Sequence, residues 1–188
     1  MIKIVVVVFV AALIFVYPEN PPVAHTGGFG EPTCHACHFD GELNDGGADL
    51  SLLGIESNYA LKERYILHIV LTRADMEEAG FQLAIRDSSG RQAGALYSSD
   101  DRVAIDESDG IQYARHSSEG TSINKTDTSM WTLNWMAPDT VQKVFIHLSA
   151  NAANGDDSEF GDAIYHIEHI LEPHKTRNPQ PETRNKFK

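Results

Sequence analysis

Apolar and polar positions alternate along much of this chain with the period of two that marks a half-buried strand. Phe81, Leu83 and Ile85 alternate with Gln82, Ala84 and Arg86. Trp131, Leu133 and Trp135 alternate with Thr132 and Asn134. Val144, Ile146 and Leu148 form one face of a further run, and Tyr165, Ile167, His169 and Leu171 one face of the last. Residues 63–71 are apolar on both faces, as suits a central strand. Turn chemistry separates the runs: Asp87-Ser88-Ser89-Gly90, Ser108-Asp109-Gly110, Pro138-Asp139 and the polar residues 151–157. Residues 74–78 have the composition of a single helical turn. Seven or eight strands without an amphipathic helix predict an all-β protein, an antiparallel β-sandwich.

The flanks differ from this middle region. Residues 4–16 form an unbroken apolar run behind Lys3. A membrane span needs about 20 apolar residues, so this run has the length of a signal-peptide core instead. Residues 1–18 are therefore expected to be a signal peptide or an N-terminal membrane anchor, which makes the protein exported, to the periplasm, the cell surface or the medium. Residues 19–48 read as a Pro- and Gly-rich linker carrying the cysteine motif, residues 49–172 as the sandwich, and residues 173–188 as a disordered basic tail. The whole chain of 188 residues has a net charge of -12. An acidic surface excludes nucleic acid as a partner, because phosphate binding needs basic residues.

The chain has two cysteines, and both fall in Cys34-His35-Ala36-Cys37-His38. This is C-x-x-C-H, the attachment pattern of c-type haem. Each thiol adds to one of two vinyl groups on the macrocycle, and two intervening residues let one tight turn reach both. The histidine after the second cysteine is then the proximal iron ligand. His35 is directed away from the iron by the same turn. Gly30 and Gly41 flank the motif and leave room for the macrocycle. Two rival readings use the same residues: a disulfide or redox dithiol, and a zinc site completed by histidines. The sixth iron ligand is open on bond chemistry alone. Candidates are His25, His68, His116, His147, His166, His169, His174, Met76, Met130 and Met136. His166 and His169 fall on opposite faces of a strand and would not ligate together.

Several pieces of residues 26–165 fall in a familiar order. They are Thr26-Gly27-Gly28-Phe29-Gly30-Glu31 ahead of the cysteines, Gly80-Phe81-Gln82-Leu83 with Asp87, and Ala93-Gly94. Gln112-Tyr113 with His116 and Gly120 follow, then the WTLNWMAP stretch at 131–138. The last pieces are residues 151–156 and Gly161-Asp162-Ala163-Ile164-Tyr165. In these the chain resembles bacterial Reeler-like β-sandwich domains, of the exported type with a haem-binding C-x-x-C-H before the sandwich. The resemblance implies an immunoglobulin-like sandwich with haem at one end. It also singles out His116 as the distal ligand. Members often end in a surface-sorting segment, where this chain carries its basic tail.

Weaker signals add little. Asp100, Asp101, Asp106, Glu107 and Asp109 form one acidic cluster, and Asn154, Asp156, Asp157 and Asp162 another. Both suit a solvated surface and turns better than calcium, since neither follows an EF-hand pattern. No serine-histidine-acid spacing or phosphate-binding glycine loop is present. The expected function is electron transfer by an exported mono-haem c-type cytochrome rather than an enzyme. One haem c is held by Cys34 and Cys37, ligated by His38 and His116, and exchanges electrons with an unidentified redox protein. The alternative is an exported binding or adhesion module in which Cys34 and Cys37 form a disulfide. An open sixth position would instead suit a haem sensor or a peroxidase-like enzyme.

Overall fold

The computed structural model describes residues 21–174. The expected signal or anchor segment, residues 1–18, lies outside these residues, as does the expected basic tail beyond His174; Pro173 is the last residue of a strand. Ten strands follow one another: β1 (Ala48–Leu53), β2 (Asn58–Tyr59), β3 (Arg64–Arg73), β4 (Glu78–Asp87), β5 (Ala95–Ser98), β6 (Val103–Ser108), β7 (Ile111–His116), β8 (Thr128–Met136), β9 (Val144–Ala153) and β10 (Ala163–Pro173). They form a four-stranded sheet, β1-β3-β8-β5, facing a six-stranded sheet, β2-β10-β9-β4-β7-β6. Every pairing is antiparallel except the short contact of β2 with β10. The protein is an all-β sandwich.

The inward positions are those the alternation marks. Leu67, Ile69 and Leu71 of β3 and Trp131, Leu133 and Trp135 of β8 face Phe81, Leu83 and Ile85 of β4 and Val144, Ile146 and Leu148 of β9. Both indoles find a carbonyl inside this core. Trp131 Nε1 donates to Gly120 O at 2.8 Å and Trp135 Nε1 to Ala93 O at 2.9 Å. A buried indole N–H left unpaired would cost about 1–3 kcal/mol, so these bonds let the two largest side chains sit fully inside.

Three local expectations are corrected. Residues 74–78 do not make a helical turn. Asp75 takes a left-handed conformation (φ 60°) in a tight β3–β4 turn, and β4 already begins at Glu78. The β3 strand is central in its sheet, but its second face is open, with Ile66 54% exposed. Its apolar outer residues therefore do not signal burial on both sides. Such burial occurs instead on β4, which alternation marks as half-exposed. Gln82, Ala84 and Arg86 are buried together with the inward residues, so all of residues 79–87 are covered. The cover is the chain from residue 21 to residue 47, which lies across the outer face of the six-stranded sheet. Gln82 is satisfied by the backbone of this segment: its Nε2 donates to Pro22 O at 2.9 Å and His25 N–H donates to its Oε1 at 2.6 Å.

Candidate functional site

Two polar clasps fix the covering segment. Near its start, the Glu31 carboxylate accepts from Thr26 Oγ1 at 2.6 Å and Tyr113 O–H at 2.7 Å, and it pairs with Arg86. Burial alone would raise the Glu31 pKa. The hydrogen bonds from Arg86, Thr26 and Tyr113 and the charge of Arg86 outweigh it, and the pKa falls below the usual carboxylate value. Near its end, Asp45 accepts from Tyr165 O–H at 2.5 Å and from Arg73 at 3.0 Å. Beside it, Asn44 pairs with the free edge of β10. Its Oδ1 accepts from His166 N–H at 2.8 Å and its backbone N–H donates to Ile164 O at 2.9 Å. The start of that edge is thereby covered by the backbone and side chain of one residue rather than by a strand.

Between the clasps sits the cysteine motif. Thr33 Oγ1 accepts from His35 N–H at 3.2 Å and starts a single 3-10 turn, Cys34–Ala36. The Cys34 N–H donates to Ser149 Oγ of β9 at 3.1 Å, which seats the turn on the sheet. Both thiols are free, Cys34 half-buried and Cys37 exposed. Burial pushes the Cys34 thiol up to about 11, and the neighbouring Cys37 acts in the same direction. His35 turns outward and its Nε2 lies 2.7 Å from Gly41 O.

His38 turns inward instead. Its Nδ1 is 2.6 Å from Asp162 Oδ2, and the Asp162 side chain is only 2% exposed. Asp162 in turn accepts from Asn151 Nδ2 at 2.9 Å and from the Asn154 N–H at 3.3 Å. With its Nδ1 proton given to this carboxylate, His38 has Nε2 left for a further ligand.

His116 ends β7, where the ladder to β4 runs out. The last pair in register there is Gln82 with Arg115. At the next position the imidazole replaces a backbone partner, with Nδ1 3.0 Å from Phe81 N and 3.2 Å from Phe81 O. Its ring lies against Gly80, where a Cβ would fall 2.6 Å from Cε1. Gly80 stands directly opposite Asn151 in the β4–β9 ladder. Since His38 touches Asn151 and His116 touches Gly80, each imidazole lies against one member of the same cross-strand pair. Burial lowers the His116 pKa to about 4, and the charges of Arg115 and His38 add to the effect. His116 is thus neutral at ordinary pH, as an iron ligand must be. Iron ligation through Nε2 requires the tautomer in which Nδ1–H donates to Phe81 O.

Several of the other sixth-ligand candidates are hydrogen-bonded elsewhere. His147 pairs with Glu168 at 2.9 Å and stacks on His166 beneath Gly27 and Gly28, where the buried His166 Nε2 has no hydrogen-bond partner. His68 bonds Thr132 in the other sheet, His169 lies 2.9 Å from Glu56 O, and His25 lies 3.0 Å from Val23 O. Met76 is buried in the core and Met130 is exposed. The residues fit a haem attached at this turn: two cysteines in one turn, a histidine oriented through Nδ1, and a second, neutral histidine beside it. A tetrahedral zinc fits less well. Among the described residues, no group of three or more His, Cys, Asp or Glu side chains is arranged to hold a metal ion. Gly30 has open space around it, whereas a Cβ on Gly41 would lie 3.3 Å from Asp162 O.

Asp162 and Asn151 were not marked as site residues by sequence reasoning. Asp162 is one acid among many in an acidic loop, and Asn151 reads as the start of a turn. Instead β9 continues to Ala153, so Asn151 is a strand residue on the covered face.

No family model matches the chain, and no curated protein matches it. Solved structures do. The Reelin-N domain of F-spondin is similar at 16% identity over 74% of this chain and 96% of that one, with a TM-score of 0.50. The human F-spondin reeler domain is similar at 16% identity, over 71% and 96% of the two chains, with a TM-score of 0.45. The sixth cohesin of scaffoldin B from Acetivibrio cellulolyticus is similar at 12% identity, over 63% and 97%, with a TM-score of 0.38. At such identities the likeness is one of fold, and the first of them supports a β-sandwich fold like that of the reeler domain.

Proposed function

We propose that the protein is an exported mono-haem c-type cytochrome acting in electron transfer. Cys34 and Cys37 would hold one haem c through thioethers, and His38 and His116 would ligate its iron. The reading rests on one observation above the others. In a C-x-x-C-H turn seated on β9, His38 is oriented through Nδ1 while a second, neutral histidine stands over the neighbouring position of β4. When bound, the group supplies a one-electron ferric–ferrous couple.

The chain's own residues do the rest. Cys34 and Cys37 would tether the group, His38 and His116 would ligate its iron, and the covering segment with its two clasps keeps the turn on the sheet. Two histidine ligands favour a lower potential than a histidine–methionine pair would. Occupation of the sixth position by His116 also disfavours a sensor or peroxidase-like enzyme. The electron partner is a redox protein of unidentified kind. Residues 1–18 would direct export and, if retained, attach the protein to a membrane; no helix among the described residues is long and apolar enough to cross one.

A second reading draws on the fold. A Reeler-like sandwich resembling a domain of F-spondin suits a binding or adhesion module, with Cys34 and Cys37 joined as a disulfide. One experiment separates the two. The protein is produced in a host with cytochrome c maturation, and intact mass and a pyridine haemochrome spectrum are recorded. A haem-sized mass increase with a c-type spectrum supports the cytochrome. An unmodified mass, or the loss of two hydrogens, removes it and leaves the binding module.

A further inference from the structure

The carboxylate beneath His38 has a use beyond holding a loop. Asp162 is almost completely buried, yet it is an acid in contact with an imidazole at 2.6 Å. Isolated buried charges are costly, so a carboxylate in such a place needs donors. It has three: Asn151 Nδ2 at 2.9 Å, the Asn154 N–H at 3.3 Å and His38 Nδ1. Two come from β9 and the turn after it, and are rigidly placed. The third belongs to the residue the attachment motif offers to iron.

We propose that Asp162 is the positioning residue of His38, fixing the ring and its Nδ1–H tautomer and biasing the iron toward the ferric state. This rests on the haem reading of the C-x-x-C-H turn. A carboxylate accepting the Nδ1 proton draws that proton away and leaves more electron density on Nε2. The more basic Nε2 stabilises the more highly charged ferric ion over the ferrous one. Burial keeps water from screening the carboxylate, which makes its influence larger than at a surface. Asn151 sets its strength: by donating to Asp162 Oδ2, it takes up part of the charge that would otherwise act on His38.

The two side chains therefore act with opposite sign, which gives the test. Wild type, Asp162→Asn, Asp162→Glu and Asn151→Ala are made with cytochrome c maturation. Haem content is read first, by intact mass and haemochrome spectrum, and midpoint potential second, by redox titration. If the wild type takes up no haem, the cytochrome reading itself fails and Asp162 is not at issue. With haem present, Asp162→Asn should keep haem and low-spin spectrum but raise the potential. The ferrous-to-ferric ratio at a fixed poise should grow at least tenfold, about 59 mV for one electron. Asp162→Glu should restore most of the wild-type value, and Asn151→Ala should move the potential the other way. Should Asp162→Asn not fold, the downward shift in Asn151→Ala carries the test alone. Unchanged potentials, or shifts of the same sign in Asp162→Asn and Asn151→Ala, would overturn the proposal, since mere loosening of the loop has no reason to reverse sign.

Discussion

Adding one methyl group at Gly80 tests where the second ligand sits. Gly80 has no left-handed backbone requirement, so alanine is tolerated by the strand itself, and in a strand interior it gains roughly 0.5–1 kcal/mol over glycine. The new Cβ would, however, lie 2.6 Å from His116 Cε1 and 2.8 Å from Nδ1. Carbon atoms rest at about 3.5–4.0 Å, so the ring must retreat by roughly 1 Å. That movement stretches the 3.2 Å contact of Nδ1 with Phe81 O beyond hydrogen-bonding range. The lost bond costs about 1 kcal/mol and the overpacking about 1–3 kcal/mol, against the small gain from the backbone. Net destabilisation of about 1–3 kcal/mol should lower the melting temperature by roughly 3–10 °C. The larger effect is on ligation, because functional groups must be held to about 0.5 Å. Gly80→Ala protein should keep covalent haem, as Cys34, Cys37 and His38 are untouched, but pass from six-coordinate low-spin to five-coordinate high-spin absorption and paramagnetic resonance spectra. His116→Ala should give the same spectra. If Gly80→Ala retains haem, a low-spin spectrum and the wild-type melting temperature together, His116 is not seated against Gly80 and is not the ligand.

Other perturbations address the covering segment and pH. Glu31→Ala leaves the nearly buried Arg86 guanidinium without its acid and should cost about 3–5 kcal/mol in urea unfolding. The backbone amides of residues 34–38 should exchange faster in the same variant, and unchanged protection there would mean the clasp does not hold the segment. In haem-free Cys34→Ala/Cys37→Ala protein, His116 is neutral when folded down to about pH 4 but protonates near 6.5 when unfolded. The unfolded chain then binds more protons between those values, so stability should be complete above about 6.5 and fall as pH drops toward 4. The loss has an upper bound of about 3 kcal/mol, from 1.36 kcal/mol per pKa unit. It is read by urea unfolding at several pH values, with His116→Ala in the same background showing a flatter profile. His166, whose pKa burial also lowers, leaves part of the slope in place.

The sandwich core was legible because inward residues repeat every second position and are apolar in both sheets. Phe81, Leu83 and Ile85 need only that rule. The covered outer face was not legible, because its residues are polar. Gln82, Arg86, Ser149 and Asp162 look like a solvent face, and only the path of residues 21–47 buries them. Local pattern carries no information about which distant segment supplies a polar group's partner. Cys34, Cys37 and His38 were legible from spacing, since the chemistry is contiguous. His116 came only through resemblance: its place depends on where the β4–β7 ladder ends. Asp162 was legible only as one acid of a surface cluster and Asn151 only as a turn residue, because a buried acid and a surface acid are written with the same residue.

The way the attachment turn is held bears on how this molecule is assembled. No residue of Cys34–Ala36 is buried, and the motif adds nothing to the hydrophobic core. What secures it is polar: Ser149, Asp162, and the Glu31 and Asp45 clasps on either side. The core between the sheets is complete without these contacts, with Trp131, Trp135 and Phe81 packed inside it. The sandwich can therefore form first and offer β9 and β4 as a finished platform. On the proposed function, a chain organised so would present Cys37 on an exposed turn with Cys34 half-buried beside it, while His116 already stands on the sheet and Asp162 just before β10. Accessibility of the thiols and rigidity of the ligands are opposing demands. Dividing them between a loop and a sheet meets both.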